Sequence, residues 1–185
     1  MKNFDFIKEL AEVIPAFHQL HAYCDKAEIF QKAFPEESAA NARKALEWLV
    51  KNHLAMANVT LAPHETLNNM LKRPQIDAFI NEDWEFEQNM RMVKKIGNYA
   101  AHTGAQQVKA NDAFICLRAL FYVATGFLYR WQAIRKMLAF DATLIPQDFT
   151  QIHASDNSEP TVSPDLTDHV SSEAINHPEP PKSLP

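Results

Sequence analysis

Ala113 to Trp131 is the stretch that most narrows what this chain can become. Phe114, Leu117, Leu120, Phe121, Ala124, Leu128 and Trp131 recur at three- and four-residue intervals, the period of one helix face, and form an apolar surface too broad to leave in water. Arg118 interrupts the run and Arg130 closes it, so it reads as the central stave of a core rather than a membrane span, which needs about 20 consecutive apolar residues. Asn111 and Asp112 are placed to cap it, and the pattern predicts a helix from about Ala113 to Phe140. Only 3 glycines occur in 185 residues, too few for the tight turns of a sheet protein, and no segment alternates with period two. The expected fold class is therefore all-α, with a length that suits one domain and a remainder.

The rest of the helices follow from caps and breakers. Asn3 is placed to cap a first helix reaching Val13, and Pro15 marks a bend or the first residue of a second, whose inward side carries Phe17, Leu20, His21, Cys24, Ala27 and Phe30. Pro35 followed by Glu36 and Glu37 is a strong helix start, because proline tolerates the first turn and carboxylates favour the positive end of the helix dipole. That helix should reach about His53, burying Ala42, Ala45, Leu46, Leu49 and Val50 while Arg43, Glu47 and Lys51 form i,i+4 charge pairs outside. Pro63 and Pro74 punctuate a looser region with short helices near Thr66–Leu71 and Gln75–Ile80. Asn81 or Asp83 then caps a long helix that Thr103-Gly104 stops. Residues 1–145 thus form one bundle of four to five main helices. From Pro146 to Pro185 the chain turns rich in Pro, Ser and acidic residues, a composition that predicts a disordered tail or linker.

Within the long helix, Arg91, Lys94, Lys95, Asn98 and His102 fall on one stripe at about 100° per residue. Val93, Ile96, Gly97 and Ala100 lie opposite, small enough in part for a neighbouring helix to approach closely. Such a helix can pack tightly and still present hydrogen-bonding groups to a partner. The formal net charge of −5 excludes the global basic footprint of a duplex-DNA binder, so any nucleic-acid contact must come from a local patch. Arg91, Lys94 and Lys95, extended by Lys109, are the candidates, with Glu87 four residues before Arg91 placed to neutralise part of the stripe.

Three sequence blocks, Asn3-Phe4-Asp5-Phe6-Ile7, Ala42-Arg43-Lys44-Ala45-Leu46-Glu47 and Ile96-Gly97-Asn98-Tyr99-Ala100-Ala101-His102, give residues 1–140 a family resemblance. The chain resembles the N-terminal helical domain of type I restriction endonuclease R subunits and related helicases, a domain similar to the HEPN group of helical bundles. The resemblance implies a HEPN-like bundle serving DNA restriction and phage defence, with DNA or other restriction-system subunits as partners. It also implies that Arg43 reaches across to the helix of Asn98. The nuclease and motor domains of such R subunits have no counterpart here: there is no Gly-x4-Gly-Lys-Ser/Thr loop and no acidic-plus-lysine nuclease core.

In HEPN ribonucleases an arginine and a histidine act together on an RNA phosphate. By that resemblance His102 would move the proton, but Gly97 stands where the arginine is expected, leaving Lys94 or Lys95 as imperfect substitutes. The site reading is accordingly non-catalytic. Arg91, Lys94, Lys95, Asn98 and His102 are candidates for nucleic-acid or partner contact, and Arg43, Glu47 and Gly97 form a structural motif. A free-standing ribonuclease or toxin component is the rival, and a homodimer a third reading. No cofactor or metal is expected: His18, His21 and Asp25 share a helix face but lack accompanying ligands. Trp48, Trp84 and Trp131 read as core or interface anchors. Cys24 and Cys116 sit in apolar helical patterns without CxxC spacing and read as buried free thiols. With no signal-peptide pattern at the start, the expected location is cytoplasmic, away from membranes.

Overall fold

The structure, a computed structural model, describes residues 2–101 and 107–146. His102, the Thr103-Gly104 stop and the 147–185 segment lie outside the described residues. Those residues are all-helical, with no strand among them: α1 Asp5–Val13, α2 Phe17–Ile29, α3 Pro35–Met56, α4 Leu67–Met70, α5 Pro74–Ile80, α6 Trp84–Ala101 and α7 Ala110–Arg130. A short 3-10 turn, Ala142–Leu144, follows.

The centre is shared rather than held by one stave. α3 packs against α2, α6 and α7, and α7 also lies along α6, while α1 rests on α2. Ala39, Ala42, Ala45, Leu46, Leu49 and Val50 of α3 are buried at the expected three-four spacing, with Pro35 in the first turn beside Glu36 and Glu37. Burying a leucine or valine side chain contributes about 1.5–3 kcal/mol, so this face alone commits α3 to the core. α7 is long and apolar enough to cross a membrane by length and composition, yet most of its apolar window is buried in the bundle.

Several ends differ from the sequence expectation. α7 stops at Arg130 instead of running to Phe140: Gln132 adopts a left-handed φ of 60°, Ala133 N donates to Leu128 O (2.8 Å) and Gln132 N to Tyr129 O (2.9 Å). That pair of bonds satisfies orphan carbonyls and turns the chain back. Phe140 then packs edge-on to Phe114 and Phe121, so its apolar character served a return segment, not a helix face. α3 ends by the same device, with Asn58 at φ 57° and Val59 N donating to Leu54 O (2.9 Å). At the start of α7, Asp112 accepts from Lys109 N (3.0 Å), so Lys109 is the cap position and Asn111 lies inside the first turn.

Asn3 caps no helix. Its side chain donates to Glu28 Oε1 (2.7 Å) and to Asp141 O (2.9 Å) and accepts from Asp141 N (2.8 Å), tying the start of the chain to α2 and to the return segment. Burial pushes the Glu28 carboxyl above the usual carboxylate range, opposed by the hydrogen bonds from Asn3. Both cysteines are unpaired and buried. Burial raises both thiols, Cys116 to about 12. Trp48 packs against Phe17, and Trp131 Nε1 donates to His53 Nδ1 (3.3 Å), but Trp84 is 71% exposed and anchors no core.

Candidate functional site

α6 is set by one close crossing. Val93, Ile96 and Gly97 face inward, and a Cβ placed on Gly97 would lie 2.4 Å from Arg43 Cβ and 2.9 Å from the Ala39 carbonyl oxygen. Only glycine lets α3 and α6 meet at this separation, because both opposing atoms are backbone or adjacent to it. At the same crossing Arg43 Nε donates to Asn98 Oδ1 (2.8 Å), the reach that the resemblance implied. The other side of Arg43 approaches Glu47 (4.0 Å), which binds Lys51 Nζ at 2.6 Å. Asn98, Arg43, Glu47 and Lys51 therefore form one polar ladder running from α6 along α3.

The ladder borders a cleft of about 360 Å³ between α3 and the 61–67 segment, which includes His64, Glu65 and Thr66. Its lining sets two cations, Arg43 and Lys51, against two carboxylates, Glu47, which both cations approach, and Glu65. Glu65 accepts from Arg73 through both carboxylate oxygens at 2.8–3.0 Å, and those hydrogen bonds hold its carboxyl below the usual range. A cleft with internally neutralised charge offers little attraction to a further ion.

The α6 stripe does not project as a single row. Arg91 pairs with Glu87, its Nε donating to Glu87 Oε1 at 2.9 Å. Lys94 leans the other way, its Nζ donating to Asn68 Oδ1 of α4 (2.8 Å), and Asn98 is taken by Arg43. Lys95 is exposed and lies beside Met92, Tyr99, Asp112 and Ile115 on the α7 side of the helix. Lys109 does not extend the stripe but borders a separate opening with Glu36 and Glu37. The stripe splits because neighbours flank both sides of α6 and its polar groups satisfy themselves on whichever is nearer. Arg43, Gly97 and Asn98 are brought together, whereas Lys94 and Lys95 diverge.

Asn68 and Lys72 join this face without any signal in the sequence. Both line the small hollow that holds Glu87, Arg91 and Lys94, and no helical periodicity links them to α6, since α4 reaches it only through tertiary packing. Asn68 is a neutral acceptor, so it sets no negative charge against Lys94, and Lys72 stands exposed in the same hollow. Lys72, Arg91 and Lys94 face a single carboxylate, Glu87. On α2, Asp25 is taken by Lys2 (2.7 Å), and no three potential ligands group as a metal site among the described residues. Compared with protein-family models, curated proteins and solved structures, the chain gives no match.

Proposed function

We propose that this chain is a non-catalytic, HEPN-like helical module of the kind found at the N-terminus of type I restriction R subunits. It contacts nucleic acid or a partner subunit in DNA restriction through the α4–α6 face. A cytoplasmic setting belongs to the same reading. The observation that carries it is the unbalanced charge at α6: Lys94 is steadied by a neutral amide, with Lys72 in the same hollow and Lys95 on the α7 side of the helix, while Gly97, Arg43 and Asn98 fix the helix that bears both α6 lysines. Phosphate contacts of this type position a nucleic acid without reading its sequence, and they weaken steeply with salt.

The test is fluorescence anisotropy with labelled DNA duplexes at low ionic strength. Binding by the wild type that is lost in Lys94→Glu/Lys95→Glu, with thermal melting unchanged, supports the module; no binding by the wild type to DNA or to candidate subunits removes it. The ribonuclease reading has one observation in its favour, the Arg43 guanidinium delivered to Asn98, four residues before His102. It requires cleavage of single-stranded RNA that disappears in both His102→Ala and Arg43→Ala.

A further inference from the structure

The charge of this chain is divided sharply along its length. Residues 147–185 hold seven of the 23 acidic side chains and only one of the 18 basic ones, Lys182, which leaves 16 acidic against 17 basic in residues 1–146. The net charge of −5 therefore belongs to the C-terminal segment, and the bundle by itself is slightly cationic. A segment with an excess of one charge is attracted to a surface of the other sign over about a Debye length. Here the bundle presents a surface of the opposite sign, with Lys72, Lys94 and Lys95 lacking any carboxylate partner among the described residues.

We infer that the acidic 147–185 segment is an intrachain occupant of the α4–α6 face, laying its carboxylates against Lys72 and Lys94 and competing there with outside anions. The reach is sufficient. The 39 residues of 147–185, as a flexible polar chain, have a root-mean-square span of roughly 31–37 Å, and a domain the size of this bundle has a radius of gyration of about 15 Å. Ile145, next to the last described residue, is anchored at 4% exposure, so the point from which the segment continues is fixed. Tethering then supplies an effective concentration in the millimolar range, and a weak set of ion pairs is enough to hold the face much of the time. No single pair needs to be strong, because several exposed pairs, each contributing about 0.2–1 kcal/mol, act together. The contact is screened by salt, since the charges sit at the surface.

The inference rests on the proposed anion-contacting face, and two measurements on the full chain separate their failures. A nitroxide on Ser163→Cys, with Cys24 and Cys116 buried and so left unlabelled, should broaden the amide resonances of Lys72 and residues 91–95 at about 50 mM salt and release them at about 500 mM. Absent broadening there, or broadening that is uniform over the bundle and indifferent to salt, overturns the inference whatever the face binds. Separately, replacing the seven acidic residues of 147–185 with Asn or Gln should tighten binding of a DNA duplex of about 20 base pairs by roughly three- to tenfold, the occupancy expected of a millimolar tethered competitor. Equal binding by both chains refutes the competition while leaving the face intact. Binding by neither refutes the nucleic-acid reading alone, and the broadening still decides whether the segment docks.

Discussion

Replacing Gly97 with alanine puts the α3–α6 crossing to a quantitative test. In an unhindered helix the change stabilises by about 1 kcal/mol through helix propensity. Here the added methyl would sit 2.4 Å from Arg43 Cβ and 2.9 Å from the Ala39 carbonyl oxygen, and neither atom is the movable end of a long side chain. The helices must separate, an overpacking penalty of about 1–3 kcal/mol, and the Arg43 to Asn98 hydrogen bond, about 1 kcal/mol, stretches with them. The clash wins, and the net result is a loss of about 1–3 kcal/mol. Urea denaturation followed by far-ultraviolet circular dichroism should show a lower midpoint with an unchanged slope. Combining Gly97→Ala with Arg43→Gly removes the nearer opposing atom but not the Ala39 carbonyl, so the double variant should recover part of the packing loss, read as a coupling energy in a double-mutant cycle. A Gly97→Ala protein as stable as the wild type, or more so, would mean that the α3–α6 crossing has room for a methyl group.

Three further outcomes follow from named contacts. Asn98→Ala deprives Arg43 of its acceptor and should lower stability by about 1 kcal/mol in the same denaturation assay, whereas Asn98→Asp keeps an acceptor and should lose less. Burial lowers the pKa of His53 from 6.5, against a raising hydrogen bond to the Gln75 backbone; its neutral ring accepts from Trp131. The unfolded chain then binds the proton more readily, so the His53 contribution is complete above pH 6.5 and is lost as pH falls through the lowered folded value. Denaturation midpoints should therefore fall with acidification more steeply in the wild type than in His53→Gln; parallel curves would count against it. Cys24 and Cys116 should resist a thiol reagent in the native protein and react at the unfolding rate, whereas rapid modification of either would contradict its burial.

The sequence made the helices legible where an apolar face met a clear start or stop. Pro35 with its two glutamates, the Ala42 to Val50 spacing, and Asp83, which accepts from Phe86 N at 2.9 Å, all act as their positions predict. Ends that depend on left-handed residues other than glycine, Asn58 and Gln132, were not legible, because nothing in a glutamine announces that it will take φ 60°. Asn3 misled for a related reason: an amide that is a good cap in isolation found stronger partners in Glu28 and Asp141, a buried acid and a backbone segment distant in sequence. At the site, Gly97 could be singled out from residue type, whereas the reach of Arg43 to the Asn98 helix was implied only by the resemblance, its spacing alone giving a surface pair with Glu47. The split of the α6 stripe could not, since a helical wheel shows which groups share a face but not that α4 will draw Lys94 to one side while Lys95 lies along α7.

On the function proposed above, α6, locked against α3 at Gly97, carries a cationic face for an anionic partner. The most direct test of that function is the salt dependence of DNA binding by the full chain with the acidic residues of 147–185 neutralised, since this exposes the face whether or not that segment covers it. With Lys72, Lys94 and Lys95 each neutralising a phosphate, the logarithm of affinity should fall against the logarithm of salt with a slope of about −2 to −3, losing roughly 2 units in Lys94→Glu/Lys95→Glu. A slope near zero, a slope unaltered by those substitutions, or no binding at low salt would contradict it.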